Sequence, residues 1–482
     1  MLKETITVHD KFQFEIKLSL PFASDGKKSI HGVETYLFLP NTLFVNPATL
    51  SREEFFGRLK NYIRLRIPWV ALDDLDGPTG PLARLKRLLA EANSGVAVSR
   101  ERYEDHVKVF CLATQRALRS WAFKTVSSSP DTAPEAAQHY IERSRSLLRQ
   151  FRALANPIRD ARFEASPACA YGDEFLSIVS AYNGFRILER LNINAVNAPC
   201  AEAASAMTEF LHEELDYRKN TLRTVVPDAK SDNELFVFRW SMLKKYMSSA
   251  LFLEIRERRD SRFWQQVVYS LAAGAAMIFA TGIAFIWQGK HGSLSMPLFT
   301  ALIISYIFKD RMKDLLRASM SSWLRRVLSD RKLAIYRNIT SAVGTCKETF
   351  GYISEKSLPR EVAALRDKIH MVDVSNSFRR ETVIRYHKDI ILAPRAGKLS
   401  DSGFCDGMLD ITRLGVHEFL RNMDEPGEPL YVLDGDACRR ITGSKVYHVN
   451  MIRTRRSPEG LHCRRYRIVL DRDGIKRIER VR

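Results

Sequence analysis

The sequence predicts an α+β membrane protein: a mostly helical N-terminal cytoplasmic domain with an initial β-hairpin, a two-helix transmembrane hairpin and a small β-rich C-terminal domain. Three observations indicate this arrangement. A run of 27 residues without a charge lies in the middle of the 482-residue chain. Helical periodicity dominates before that run, and strand-like alternation dominates after residue 381. The composition, 45% hydrophobic and 27% charged, excludes wholesale disorder.

The N-terminal domain is predicted to cover residues 1–235 and to begin with a β-hairpin. Apolar and polar residues alternate over 12–20, which is typical of a half-buried strand. An Asp-Gly turn signal at 25–26 follows, and a second apolar run at 30–39 supplies the partner strand. The first residues, 1–6, contain no apolar core of a signal peptide, so no cleavable leader is expected.

The rest of this domain is predicted to be helical. Ser51 and Glu54 have the spacing of a capping box, in which each side chain bonds the backbone of the other at a helix start. Apolar residues then recur at helical spacing. Five longer helices are predicted near residues 81–92, 101–126, 134–155, 173–192 and 199–220.

Two transmembrane helices are predicted from the uncharged runs, at 263–287 and 294–308, joined by a short external loop at 288–293. About 20 apolar residues suffice for a helix to cross roughly 30 Å of hydrocarbon. The second run is the weaker of the two because polar residues dilute its start. Gly274 and Gly282 would let a neighbouring helix approach closely. The alternative is a helical hairpin buried inside a soluble domain.

Residues at the ends of these runs predict how the chain is held and oriented. The predicted anchoring residues are Arg262, Trp264, Trp287 and Lys309. Each of the two outer flanks, which are predicted juxtamembrane helices at 236–262 and 309–340, has six Lys/Arg in the twenty residues next to its span. Only Lys290 lies between the spans. Because positive charge stays inside, we predict a two-pass protein of the cell inner (plasma) membrane with both termini cytoplasmic.

The chain after the membrane is predicted to comprise a helical connector at 341–380 and a basic β-rich cytoplasmic domain at 381–482. Residues 309–482 hold 36 Lys+Arg against 23 Asp+Glu. The predicted contacts with anionic lipid or ligand are Arg455, Arg456, Arg464 and Arg465. An ordinary solvated strand face is the alternative, and nucleic acid is disfavoured because few aromatic residues are interleaved with the arginines.

No motif in the sequence fixes a reaction. His212–Asp216 reads HEELD, which lacks the second histidine of a zinc-peptidase helix, so a charged helix face is the better interpretation. Seven cysteines are scattered without a C-x-x-C pair. We therefore predict no catalytic residue, no metal and no cofactor; the alternative is an enzyme whose active site is assembled from residues distant in sequence.

The function predicted from these features is that of a non-enzymatic scaffold, tether or signal relay at the cytoplasmic membrane face. The expected partners are the lipid bilayer, its anionic headgroups, and a protein partner or a second copy of the chain. Two alternatives stay open: a membrane-perturbing or pore-forming effector, and a membrane sensor that binds a nucleotide or nucleic acid.

Overall fold

The computed structural model describes residues 4–22, 27–94, 96–155, 166–193, 197–258, 260–291, 296–327, 329–337, 341–367, 381–394, 405–435, 437–457 and 460–481. The fold combines helices and strands, as the sequence predicts. The chain divides into two compact units. We call residues 1–63, 254–394 and 410–482 the sheet unit, and residues 64–253 and 395–409 the helical unit.

The described residues form fourteen strands. They are β1 (Glu4–Asp10), β2 (Gln13–Pro21), β3 (Ser29–Pro40), β4 (Leu59–Arg66), β5 (Glu254–Arg258), β6 (Arg331–Tyr336), β7 (Ala342–Ile353), β8 (Glu381–Leu392), β9 (Gly407–Gly415), β10 (Gly427–Asp434), β11 (Ala437–Ser444), β12 (Tyr447–Ser457), β13 (Gly460–Asp471) and β14 (Gly474–Val481).

The described residues also form eleven α-helices. They are α1 (Arg52–Arg58), α2 (Pro81–Asn93), α3 (Arg100–Val126), α4 (Ala133–Ala155), α5 (Ala168–Ile193), α6 (Ala198–Asp216), α7 (Glu234–Ser248), α8 (Asp260–His291), α9 (Met296–Val327), α10 (Arg360–Asp367) and α11 (His417–Leu420). The predicted capping box at the start of α1 is confirmed, with both reciprocal bonds between Ser51 and Glu54 formed.

Two sheets of the sheet unit face each other. One has the strand order β1-β2-β9-β4 and the other β14-β13-β12-β3-β8-β7-β6-β5. Alternate side chains of both sheets point into one shared core, which includes Phe14, Leu37, Ile384, Leu414 and Met451. Because successive strand residues point to opposite faces, each strand gives only every second residue to this core.

Helix α10 covers the opposite face of the eight-stranded sheet. Its Val362 is fully buried and packs with Tyr36, Phe38, Val383 and Ile452, which come from three adjacent strands. The eight-stranded sheet therefore has buried side chains on both faces where α10 lies. Strands β10 and β11 pair only with each other among the described strands and form a separate ribbon.

The structure corrects the predicted N-terminal hairpin. Strand β1 pairs with β2, so the hairpin lies earlier in the chain than the turn signal at 25–26 indicated. Strand β3 joins the other sheet, between β12 and β8. The predicted separate C-terminal β domain is also wrong, because β12 pairs with β3 from the opposite end of the chain.

The segments on either side of the central helices differ from the predicted juxtamembrane helices and connector. Helix α7 ends at Ser248 and is followed by strand β5, so 236–262 is not one helix. After α9, residues 331–336 form β6 and residues 342–353 form β7, within the segments predicted to be helical. Apolar runs of six to twelve residues do not distinguish a strand from a short helix.

The predicted two-helix transmembrane hairpin is contradicted. Within the described ranges, one helical segment is long and apolar enough to cross a membrane: Gln266–Ile286 of α8, with 21 residues, a mean hydropathy of 1.8 and 17% of its length buried. The second predicted span falls short because α9 begins at Met296 and carries a charge from Lys309 onward. The uncharged residues from 296 to 308 extend about 20 Å, less than the roughly 30 Å of hydrocarbon.

The helical unit agrees more closely with the sequence-based expectation. Helices α2 to α6 match the five predicted segments to within about five residues at most ends. The buried aromatic residues Phe110, Phe151, Phe175 and Phe210 lie one on each of α3, α4, α5 and α6, and they fill its interior. Helical periodicity is a reliable signal here because each helix buries one apolar stripe against its neighbours.

Candidate membrane-contacting surface

Helices α8 and α9 are inserted between two neighbouring strands of the sheet unit. Strand β5 precedes α8 and strand β6 follows α9, and the two strands pair antiparallel, with Arg258 opposite Lys332. Strand β5 is the edge strand of the eight-stranded sheet. The chain therefore leaves the sheet and returns to it at the same place.

Helices α8 and α9 lie side by side and run antiparallel. The Ser305 hydroxyl of α9 donates a hydrogen bond to the Ala280 carbonyl of α8 at 3.2 Å. Further along α9, the Arg317 guanidinium lies 4.7 Å from the centre of the Tyr269 ring, which is earlier in α8. These two contacts fix the register of the helices. They also show that the helices run antiparallel, because the higher-numbered residue of α9 meets the lower-numbered residue of α8.

The distal parts of both helices expose a continuous set of large apolar side chains, which we call the apolar tip. Each of them exposes between 41 and 77% of its surface. The tip comprises Met277, Ile278, Phe279, Phe285 and Ile286 of α8, and Met296, Phe299, Leu302, Ile303, Ile304, Tyr306, Ile307 and Phe308 of α9. No charged residue occurs in residues 277–286 or 296–308. Exposed apolar patches of this kind mark contacts with a membrane or a partner.

A set of charged residues on α9 follows directly after the tip, and we call it the basic collar. It comprises Lys309, Asp310, Arg311, Lys313, Asp314 and Arg317, with four basic and two acidic side chains. The ammonium group of Lys309 lies 3.9 Å from the centre of the Tyr306 ring, a cation–π contact. The collar therefore places net positive charge next to an uncharged apolar surface.

The structure places the other predicted membrane residues as follows. Arg262, Trp264 and Trp287 lie in α8, but their side chains fall outside the described part of the structure. A Cβ atom added at Gly274 or Gly282 would meet nothing within 4 Å among the described residues. The glycines therefore do not bring α9 close to α8, and close approach of another molecule there stays a prediction.

The four predicted arginines occupy different environments. Arg456 is exposed, and Arg455 and Arg464 are partly buried. Arg465 is only 2% exposed, and its guanidinium donates hydrogen bonds to Asn450 Oδ1 at 3.0 Å and to the Leu365 carbonyl at 3.1 Å. Contact of Arg465 with a lipid surface is therefore excluded by its burial, whereas for the other three arginines contact stays a prediction.

A buried group of polar residues between the two sheets was missed by the sequence analysis. We call it the lysine cluster, and it is centred on Lys388 of β8. The Lys388 ammonium donates hydrogen bonds to Asp410 Oδ1 at 2.9 Å, Thr412 Oγ1 at 3.0 Å and Asn61 Oδ1 at 3.1 Å. Glu348 of β7 accepts bonds from the Tyr386 hydroxyl at 2.7 Å and from Asn61 Nδ2 at 2.6 Å.

The electrostatics of the lysine cluster favour a charged lysine. Burial lowers the pKa of Lys388, but the neighbouring Asp410, Cys346 and Glu348 raise it more, so the net shift is upward. All three donors of the ammonium group are used. The cluster therefore links four strands. Lys388 stays protonated near neutral pH, and its ammonium group has no donor left to bind a substrate.

One signal in the sequence could have revealed this cluster. Ile384, Tyr386 and Ile390 alternate with outward-facing residues along β8 and are buried. Lys388 is an even number of residues away from each of them along the strand, so its side chain points to the same, inward face. A charged residue at an inward strand position requires a buried partner, and the sequence does not indicate which acid supplies it.

Metal binding has no candidate site in the described ranges. No group of three or more His, Cys, Asp or Glu side chains in these ranges could hold a metal ion. In the HEELD segment at the end of α6, His212 is exposed, and Glu214 is buried in a salt bridge with Arg152 at 2.9 Å. Comparison of the chain with models of protein families, with curated proteins and with solved structures finds no significant match.

Proposed function

We propose that the protein is a membrane-attached scaffold or tether, held on a lipid surface by the apolar tip. The observation that carries the proposal is the set of thirteen exposed large apolar side chains on two neighbouring helices, without a charge among them. Transfer of apolar surface from water into hydrocarbon is favourable by about 0.8 kcal/mol per CH₂ group. Lipid would remove this surface from water without any further protein.

Lipid is a better candidate than a second copy of the chain because of the charges beside the tip. The basic collar would lie at the level of the headgroups, where each Lys or Arg gains about 1 kcal/mol from an anionic leaflet. Two copies that covered the tip by packing side by side in the same direction would bring two such collars together and add repulsion.

A scaffold or tether is favoured over an enzyme because the buried polar groups of the lysine cluster are bonded to one another. In the lysine cluster, the donors of Lys388 are taken by Asp410, Thr412 and Asn61.

Strands β1 and β14 belong to one unit, so both ends of the described chain would lie on the same side of the membrane. From the distribution of Lys and Arg, we propose that this side is the cytoplasmic face of the plasma membrane.

Flotation with lipid vesicles tests the proposal. The full chain is mixed with vesicles of phosphatidylcholine and phosphatidylglycerol and centrifuged through a density gradient. We expect the protein to float, and a triple variant of the tip, Ile278→Ser/Phe285→Ser/Ile307→Ser, to lose at least about 100-fold in partitioning, since each substitution removes more than 1 kcal/mol of transfer free energy.

A matched control replaces three equally exposed apolar residues of the helical unit. The variant Phe123→Ser/Tyr182→Ser/Leu235→Ser removes side chains that are 63 to 72% exposed, and we expect it to float like the unaltered chain. An equal loss of vesicle partitioning in both variants would indicate nonspecific adsorption through exposed apolar residues and contradict the proposal. A chain that stays at the bottom as a stable dimer would assign the tip to self-association instead.

A further inference from the structure

We infer that α7 is the surface through which two copies of this chain associate. The two copies would pack the exposed faces of their α7 helices against each other, antiparallel and related by a twofold axis. The inference goes beyond the proposed membrane attachment, because it concerns the helical unit and does not involve the apolar tip. It follows from which face of α7 is buried, what the opposite face carries, and how the residues of that face are spaced.

One face of α7 is held by the rest of the helical unit. Leu243 and Met247 are buried on this face. The centre of the Trp240 ring lies 5.3 Å from the centre of the Phe175 ring of α5. The helix is therefore fixed in its rotation about its own axis, and its opposite face is presented outward in a defined way.

The opposite face of α7 exposes apolar side chains between two charges. Phe238 exposes 65% and Met242 47% of its surface. The outer face, as we call it, comprises Glu234, Phe238, Ser241, Met242 and Lys245, with the exposed Leu235 and Val237 at its two margins. The helix dipole accounts for an acidic residue in the first turn and a basic one in the last, but not for the exposed phenylalanine and methionine between them. Apolar side chains at the centre of a patch with charges at its rim are typical of a protein–protein interface.

The spacing of the outer face is the same when it is read from either end. Glu234, Phe238, Ser241 and Lys245 follow one another at steps of four, three and four residues. At 3.6 residues per turn, these four positions fall within a sector of about 60° around the helix. A second copy of α7 that runs in the opposite direction therefore meets this face with a matching set of positions.

Antiparallel packing about a twofold axis brings complementary groups together. Glu234 lies opposite the partner's Lys245, and by symmetry Lys245 lies opposite the partner's Glu234. Phe238 lies opposite the partner's Ser241, whose small side chain leaves room for the ring. Because both copies use the same patch, the interface is complete with two chains, and the expected assembly is a dimer.

Other occupants of the outer face are disfavoured by its charges. Parallel packing of two copies would place Glu234 against Glu234 and Lys245 against Lys245, and like charges repel. An anionic lipid surface would attract Lys245 and repel Glu234, so the face gains nothing from it overall, unlike the basic collar. The antiparallel second copy is the arrangement that pairs both charges.

Charge reversal tests the pairing in the full chain. The protein is dissolved in a mild non-ionic detergent, which covers the apolar tip, and its dimerisation constant is measured by sedimentation velocity. We expect a dimer, and we expect Glu234→Lys or Lys245→Glu to weaken it by about 10- to 30-fold, because each change makes two attractive contacts repulsive. The control Glu209→Lys reverses an exposed charge on α6 and should have little effect.

An equimolar mixture of the two single variants gives the sharpest result. In a mixed dimer of Glu234→Lys with Lys245→Glu, both contacts again join opposite charges, so mixed dimers should form about as well as dimers of the unaltered chain. The double variant Glu234→Lys/Lys245→Glu should dimerise equally well. Single variants that dimerise like the unaltered chain, or a mixture no stronger than the single variants, would overturn the inference.

Proximity of the two helices is tested by crosslinking on lipid vesicles. Ser241→Cys places a thiol close to the expected twofold axis, in a Cys438→Ser background that removes the exposed native cysteine of the described residues. A short bifunctional maleimide should join two such chains. Ser205→Cys, at an exposed position on α6, is the matched control and should yield little dimer.

The outcomes separate this inference from the proposed membrane attachment. A chain that is monomeric in detergent and gives no more crosslinked dimer at 241 than at 205 overturns the inference. A dimer that is insensitive to Glu234→Lys would belong to another surface, the apolar tip included, and overturns it as well. Flotation with vesicles should be unchanged in all these variants because the tip is intact, so loss of the dimer and loss of attachment are distinguishable.

Discussion

The apolar tip and the lysine cluster both reverse the usual distribution of residues, in opposite ways. The tip exposes apolar side chains such as Ile278, and the cluster buries charged ones such as Lys388 and Asp410. Soluble proteins rarely do either at this scale. The cluster is compensated within the chain, by partners at hydrogen-bond distance, whereas the tip has no such cover among the described residues. The burial of charge in the lysine cluster is therefore structural, and the exposed tip is the surface for which we propose contact with lipid.

The largest effect is expected from breaking the lysine cluster. Lys388→Met leaves Asp410 and Glu348 buried without their cation, which should lower the free energy of unfolding by about 3–5 kcal/mol. Hydrogen exchange followed by mass spectrometry, read on peptides from β8 and β9, should show protection reduced by at least about 100-fold.

A second substitution separates loss of charge balance from loss of packing. Lys388→Met/Asp410→Leu removes both charges of the closest pair and should recover a large part of the lost protection, since apolar residues often replace a buried ion pair at little cost. If the double variant is as unstable as the sum of the single variants, the pairing of these two groups does not account for the effect.

Two arginines that look equivalent in the sequence should respond differently. Arg465→Met leaves the Asn450 amide oxygen and the Leu365 carbonyl without their donor, and should lower the free energy of unfolding by about 2 kcal/mol. Arg456→Gln alters an exposed side chain and should change it by less than about 0.5 kcal/mol. Exchange rates in β13 and α10 report the difference, and equal values for both variants would contradict the burial of Arg465.

The smallest effect concerns the pH dependence of stability. Burial, and then the charge of Arg455, lower the pKa of His31 in the folded state. The folded state therefore favours neutral His31, and this stability is present above the unfolded pKa of about 6.5 and lost as the pH falls toward the folded pKa. Between about pH 7.5 and pH 5.5, thermal unfolding of the unaltered chain should shift downward more than that of His31→Gln. Identical shifts would exclude His31 as the cause.

The sequence predicts local structure in this protein better than it predicts pairing. The capping box at Ser51 and the helix at 133–155 depend on contacts within a few turns, and both are found. Strand β3 was recognised as a strand, but its neighbours β8 and β12 lie more than 340 residues further along the chain. Alternation shows that a residue points inward without showing which strand it will meet.

The candidate site was predicted in part. The uncharged run containing Gln266–Ile286 identified α8, one of the two helices that expose the tip, because its length and composition are visible in the sequence. The second span was wrong, since a start at Met296 shortens the uncharged part of α9. The contact of Ser305 with Ala280 depends on how two helices slide against each other, which no periodicity within one helix specifies.

The insertion of α8 and α9 between paired strands has a consequence for how the molecule would sit on a surface. A domain that hangs from a terminal tail can swivel and present any side to the bilayer. Here one residue separates β5 from α8, and the chain rejoins the sheet at β6, directly beside its point of departure. Because the helix pair is connected to the sheet at both β5 and β6, the sheet cannot rotate freely about the helix axes. Every copy would therefore turn the same edge of the eight-stranded sheet toward the lipid.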